Sequence, residues 1–407
     1  MNARSLLLAA SAALVLLGAG PVSSKAPVDP AAALQQRLLT LDTHLDTPAS
    51  LALPGWSITE AHTAGGDYTQ VDLPRMKKGG LDGGFWAIYT PQGPLTAVAT
   101  RKARDFALLR ASAIREMVAA HPESFALAGK AADAAAIKAA GKRVVYLSIE
   151  NAWPLGDDPG LLQSFHAMGV RIAGFAHFRT NQFADSSTDK AKWDGLSPLG
   201  VQLLAEMNRL GVVPDLSHSS DRALDDALRL SKTPIILTHS GCKAVFDHPR
   251  NIDDAHLKAL AAAGGVIQIN SVYVKGLKQS PEREAAMKAL EAKYPEDKTL
   301  TAEQRQTYLA ERRAIDAKFP ELRASFDDLM ANLLHAIAVA GVEHVGIGLD
   351  WDGGGGVAGL EDVADLPKIT KALLAAGYSE ADVAKIWSGN VLRVLAAAEA
   401  AAERPKS

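Results

Sequence analysis

The run 144-VVYLSIE-150 sets Val144, Val145, Tyr146, Leu147 and Ile149 into a few consecutive positions and then stops on a carboxylate, Glu150. A short apolar run rich in β-branched and aromatic residues reads as a strand buried on both faces, as in a parallel sheet. The pattern recurs in 38-LLTLDTH, 84-GFWAIYT, 170-VRIAGFAH, 212-VVPDLSH, 235-IILTHS, 266-VIQINS and 345-VGIGLD. Alanine-rich helical stretches lie between many of these runs, among them 101-RKARDFALLRASAIREMVAAH and 221-DRALDDALRLSK. Eight such strands alternating with helices predict an α/β fold, a (β/α)8 TIM-type barrel. A doubly wound open sheet is the alternative, but no glycine-rich phosphate loop follows the first run.

Two segments interrupt the alternation. Residues 49–82 form a long, turn-rich connection after the first strand. Residues 273–325 hold a charged helical insertion whose Glu, Lys and Arg recur at spacings of three and four, as in a solvated helical hairpin. Such a hairpin is a surface decoration, a lid or a dimer contact.

At its amino end the chain carries Arg4, an apolar run from Leu6 to Leu17 and then small residues, the layout of a cleaved signal peptide over residues 1–24. That run is too short to span a bilayer comfortably. The polar carboxyl terminus, AAAEAAAERPKS, is unlike a hydrophobic anchor tail. A secreted or periplasmic protein with no stable membrane anchor is therefore expected, with residues 25–407 as one domain. The formal net charge of -3 gives no basic field for nucleic acid. Cys242 is the only cysteine, which excludes an intramolecular disulfide and leaves stability to the core. It reads as a buried packing residue.

Chemistry collects where the strands end. His44 and Asp46 share a face at the end of the first run, since residues i and i+2 of a strand point the same way. Glu150, His218, His239 and Asp350 end four other runs. In a parallel barrel these ends open onto one rim, where active sites sit. Histidine and carboxylate are ligands for a borderline divalent ion such as zinc. Six such groups exceed the need of one tetrahedral zinc, but suit two ions about 4 Å apart that share a carboxylate and a hydroxide. Such a centre hydrolyses an amide or an ester.

These residues lie in motifs that resemble the membrane (renal) dipeptidase family, the M19 metallopeptidases of the amidohydrolase superfamily. The motifs are 42-DTHLD-46, 71-VDLPRMKKGGLDGGFWAIYTP-91, 149-IE-150, 215-DLSHSS-220, 237-LTHS-240, 249-PRNIDD-254, 264-GGVIQIN-270, 346-GIGLDWDG-353 and 388-SGNVLRVL-395. They run in the family's order over roughly residues 36–396. The resemblance implies a zinc-dependent dipeptidase with two zinc ions per subunit, acting on dipeptides, and a possible homodimer. It implies that His44 and Asp46 bind one zinc, His218 and His239 the second, and that Glu150 bridges them. Asp350 would accept and donate the proton of the bridging water. His177, in GFAHFRTN, would polarise the substrate, and Arg250 would hold its terminal carboxylate. A guanidinium fork suits that last task, because it pairs bidentately with a carboxylate.

The chain departs from the family where Asn151 and Ala152 follow Glu150 in place of the usual glycine, and where Ala176 precedes His177 in place of threonine. These changes bear on substrate preference rather than on hydrolysis. Asp42 and Asp352 share the ligands' parity and read as groups that orient a ligand or hold a loop. Rival functions are a related amidohydrolase acting on N-acyl amino acids or β-lactams, and a binding protein that has lost its chemistry; the second would be expected to lack a ligand or Asp350.

Overall fold

The computed structural model describes residues 29–295 and 300–403. The expected signal peptide lies outside them. Among the described residues ten strands form: β1 Leu41–Leu45, β2 Gly83–Ile88, β3 Phe125–Leu127, β4 Arg143–Ile149, β5 Val170–Gly174, β6 Val213–Asp215, β7 Ile236–Cys242, β8 Asn251–Ile252, β9 Val266–Ile269 and β10 Val345–Ile347. Eight of them run parallel in the order β1-β2-β4-β5-β6-β7-β9-β10. The ring closes between β10 and β1. There Asp46 N–H donates to the Trp351 carbonyl at 2.9 Å, and Thr43 Oγ1 lies 3.1 Å from the Ile347 carbonyl oxygen. The chain is therefore a (β/α)8 barrel, as its alternating runs predict. Strands β3 and β8 are short additions paired to β4 and β7.

The first residues of the strands and the carboxyl-terminal helix form a plug. Leu41, Phe85, Val144, Ile172, Val213, Ile236 and Val266 pack with Val391, Val394, Leu395 and Ala398 of the helix Asn390–Ala401 in one buried cluster. This apolar end rigidifies the barrel and leaves the opposite rim for polar groups. A larger buried cluster, including Trp86, Ile149, Leu203, Leu333 and Trp387, fills the space between strands and outer helices.

Glycine is needed where the wall curves against itself. A Cβ on Gly174 of β5 would collide with the Glu150 carbonyl, so β5 can lie beside the end of β4 only with glycine there.

The insertion is a hairpin of helices Pro281–Lys293 and Ala302–Lys318, as its charge spacing predicts. It docks on the long connection after β1. Tyr68 donates to Asp316 Oδ2 at 2.6 Å, Arg313 donates to the Gly66 carbonyl at 2.8 Å, and the Arg312 guanidinium lies 3.8 Å from the Tyr68 ring centroid. Asp352 ties that connection down near the ring: it accepts from Thr47 Oγ1 at 2.6 Å and from Gln70 N–H at 2.5 Å. Among the described residues no helix is long and apolar enough to cross a membrane.

Candidate metal centre

Strand ends bring the six proposed ligating groups and His177 into one buried cluster. His44 is the penultimate residue of β1, with Asp46 just beyond the strand. Glu150 follows β4, His177 follows β5, His218 follows β6, His239 lies in β7 and Asp350 follows β10. One carboxylate oxygen is the hub. Glu150 Oε1 lies 3.7 Å from His44 Nε2, 3.3 Å from His177 Nε2, 3.4 Å from His218 Nε2 and 3.7 Å from His239 Nε2. On one side, His44 Nε2 is 3.3 Å from Asp46 Oδ2 and 4.0 Å from Asp350 Oδ1. On the other, His218 Nε2 and His239 Nε2 stand 2.8 Å apart. Donor atoms of His44, Glu150 and His239, of Glu150, His177 and His218, and of His44, Asp46 and Asp350 each lie within 4.8 Å of one another. By distance alone His177 approaches Glu150 as closely as any of the other imidazoles.

Simple strand alternation does not account for the first motif. The β1–β2 register shifts between Asp42 and Leu45. Thr43 reaches across the barrel, donating to the Thr238 carbonyl at 2.6 Å, while His44 faces Glu150. Asp42 holds the backbone at His44: its carboxylate accepts from His44 N–H at 2.9 Å and from Leu349 N–H at 3.1 Å. His218 and Asp350 both adopt φ 65°, a left-handed conformation that costs a non-glycine residue of order 1–3 kcal/mol. Gly353 lies against the acidic side, where a Cβ would overlap Asp46 Oδ2 and Asp350 Oδ1.

The charges explain the state of each group. Burial disfavours the His44 cation, but Asp46 and Glu150 outweigh it and push its pKa up to about 10. Burial alone would raise Glu150; the His177 and His44 imidazoles instead hold it well below the usual carboxylate range. Burial, then the Arg250 cation for His218 and His44 for His239, keep these two imidazoles well below the ordinary value. They are neutral, the form in which imidazole ligates. Burial pushes Asp350 up to about 7, with Asp46 and Glu150 adding to the rise against His44 and Arg250.

The hydrogen-bonding roles of several contributors carried no readable signal. Asp215, buried at the end of β6, accepts from the Thr238 hydroxyl at 2.5 Å, and that hydroxyl lies 2.9 Å from His239 Nδ1. A hydroxyl has one proton. Since Thr238 gives its proton to Asp215, the His239 Nδ1 must carry the hydrogen, and the Nε2 lone pair is left facing His218. Gln92 Oε1 accepts from His177 N–H at 3.0 Å and from Arg179 N–H at 3.1 Å. Asn151, at the position where the resemblance would place glycine, is buried and donates to the Thr90 carbonyl at 3.0 Å.

Arg250 is 2% exposed, which is rare for a guanidinium. Its Nη2 donates to the His239 carbonyl at 2.9 Å, and its Nε meets no protein acceptor. Cys242 is buried with its thiol pushed up to about 12 by burial, so it is no ready thiolate.

The donor set passes a chemical test for metal. His44 Nε2 is buried without a hydrogen-bond partner, and the lone pair of His239 points at a second imidazole nitrogen. Buried polar atoms left unpaired this way are costly. A divalent cation among them would satisfy the converging lone pairs, and the donors are those zinc prefers.

Comparison with known proteins agrees with this reading. The family model described as membrane dipeptidase (peptidase family M19) matches residues 28–407. A dipeptidase of Claviceps purpurea, tcpJ, is 31% identical over 343 residues, covering 83% of this chain and 71% of its own. The crystal structure of the probable dipeptidase PvdM from Pseudomonas aeruginosa superimposes with TM-score 0.77 at 30% identity, over 91% of this chain and 98% of that one. A metallopeptidase of Rhodobacter sphaeroides, solved with a phosphinate mimic of L-Ala-D-Ala, gives TM-score 0.68 at 26% identity over 88% of this chain and 99% of that one.

Proposed function

The chain belongs to the membrane dipeptidase family, peptidase family M19, and is a metallo-dipeptidase; from that premise we propose that it hydrolyses dipeptides with two zinc ions held around Glu150. The observation that carries this is the convergence of four imidazole Nε2 atoms on one Glu150 oxygen, at 3.3 to 3.7 Å. His44 and Asp46 would hold one ion, His218 and His239 the other, with Glu150 between. The 3.3 Å and 2.8 Å separations within these two pairs support that division. Bound there, the ions supply Lewis acidity toward the scissile carbonyl and a hydroxide nucleophile at neutral pH.

The other residues do the remaining work. His177 faces the same carbonyl oxygen and stabilises the charge that develops on it. Asp350, raised to about 7, takes a proton from the nucleophile and returns it to the leaving amine, a transfer worth about 10²–10⁴-fold. Arg250 keeps its buried Nε without a protein acceptor, and its guanidinium pairs with the substrate's terminal carboxylate. Recognition of that end places the peptide bond next to the carboxyl-terminal residue at the ions. The His218→Ala variant is expected to lose dipeptide hydrolysis and to fall to one zinc or none. Full turnover by that variant after chelation contradicts the proposal.

Export follows from the amino-terminal pattern of Arg4, the apolar run Leu6–Leu17 and the small residues beyond it. We place the mature domain at about residue 25 onward, in a secreted or periplasmic protein. Amino-terminal sequencing of the protein recovered from the exporting cell tests this.

A further inference from the structure

We infer that Phe178 determines specificity: its ring is the wall against which the side chain of the dipeptide's amino-terminal residue packs, so that large apolar residues are favoured there. The inference rests on the proposed roles of His177 and Arg250.

Six large hydrophobic residues are exposed among the described residues, and Phe178, at 47%, is the aromatic one. Its ring centroid lies 4.1 Å from that of His177 and 5.1 Å from that of His218. An exposed aromatic ring packed against the reactive cluster leaves apolar surface uncovered where substrate must arrive.

The ring is also presented by a fixed backbone. Gln92 Oε1 accepts from His177 N–H and Arg179 N–H, on either side of Phe178, at 3.0 and 3.1 Å. The Thr188 hydroxyl donates to the Phe178 carbonyl at 3.1 Å, and the Ser186 hydroxyl to the His177 carbonyl at 2.5 Å. Little backbone freedom is left to lose on binding, so burial of the ring translates into affinity.

The position assigns the end. The scissile carbonyl belongs to the amino-terminal residue of a dipeptide, and His177 addresses its oxygen. Phe178 adjoins His177. Arg250 draws the opposite end, the carboxylate, toward the side of the site where it bonds the His239 carbonyl and lies 5.4 Å from the Tyr273 ring centroid. Apolar contact with Phe178 therefore falls to the amino-terminal side chain.

The test compares kcat/KM of the zinc-loaded enzyme on Phe-Gly, Leu-Gly and Gly-Gly with the mirrored Gly-Phe and Gly-Leu. Wild type is expected to prefer Phe-Gly to Gly-Gly by about tenfold or more, within the range for one apolar side chain in a pocket. Phe178→Ala should shrink that ratio about tenfold, and Phe178→Trp should retain it. The half-exposed position makes misfolding an unsuitable explanation for a changed ratio. A ratio in Phe178→Ala within twofold of wild type overturns the inference, as does a loss confined to the Gly-Phe and Gly-Leu series. Wild-type enzyme that cleaves none of the five substrates overturns the site reading as well, which is a different result from an unchanged ratio.

Discussion

Replacing Thr238 by valine keeps shape and removes one hydroxyl. In the protein that hydroxyl donates to Asp215 at 2.5 Å and, by accepting from His239 Nδ1 at 2.9 Å, fixes the lone pair of Nε2 toward the site. Without it, the Nδ1–H tautomer loses its acceptor, worth about 1 kcal/mol. The other tautomer carries its hydrogen on Nε2 and keeps the 2.8 Å contact with His218 Nε2, with donor and acceptor exchanged. That bond is common to both tautomers, so only the lost Nδ1 acceptor moves the metal-free protein toward a form that cannot ligate. At about 1.4 kcal/mol per factor of ten, zinc affinity should fall about fivefold, because the metal-bound form must keep the Nδ1–H that has lost its acceptor. Asp215 keeps its bonds from Ser217 N–H and Thr238 N–H, at 2.9 and 3.0 Å, so the variant should fold with a stability loss of about 1–3 kcal/mol. Competition with a chromophoric chelator measures the affinity, and Thr238→Ser should restore it. A valine variant that binds zinc within twofold of wild type, whatever its melting temperature, refutes the tautomer argument.

Three further outcomes are expected. Gly353→Ala drives a methyl group into the Asp46 and Asp350 carboxylates, so bound metal and kcat/KM should both fall at least tenfold while the far-ultraviolet spectrum stays unchanged; retention of full activity would show that the loop simply moves aside. In the metal-free protein His44 holds its proton up to about pH 10, above its ordinary value, so an ion arriving near neutrality displaces that proton and apparent affinity rises with pH, roughly tenfold per unit for one proton released. Calorimetry in buffers of different ionisation enthalpy should show the release, and identical heats in all buffers would contradict it. Cys242→Ala should leave zinc content at the wild-type value and cost about 1 kcal/mol of stability, because its sulfur is buried and contacts the Asn332 carbonyl at 3.7 Å; a drop in zinc would make it a ligand.

The barrel was legible because each wall strand is a compact apolar run, such as Val144–Ile149, whose burial on both faces leaves its mark on composition. The candidate site was legible for a related reason: His218, His239 and Asp350 each interrupt or end such a run, and parallel strands place those ends on one rim. The short strands β3 and β8 were not separable, since Phe125–Leu127 and Asn251–Ile252 are too brief to show a period. The shift of register in β1 was hidden as well; alternation placed Asp42, His44 and Asp46 alike, and only closure against β10 turns Thr43 across the barrel. The Asp215–Thr238–His239 chain spans two strands, and Gln92 reaches His177 from a loop far away in sequence. Their roles depend on where the folded backbone puts them, which no local pattern records.

Stepwise zinc add-back to chelator-stripped protein tests the central claim most directly, with bound metal and dipeptide turnover read on the same samples. No turnover is expected without metal, with a maximum reached at two bound zinc ions per chain and no maximum in the Glu150→Gln variant. Full turnover by the stripped protein, or a maximum already reached at one ion, would contradict the claim.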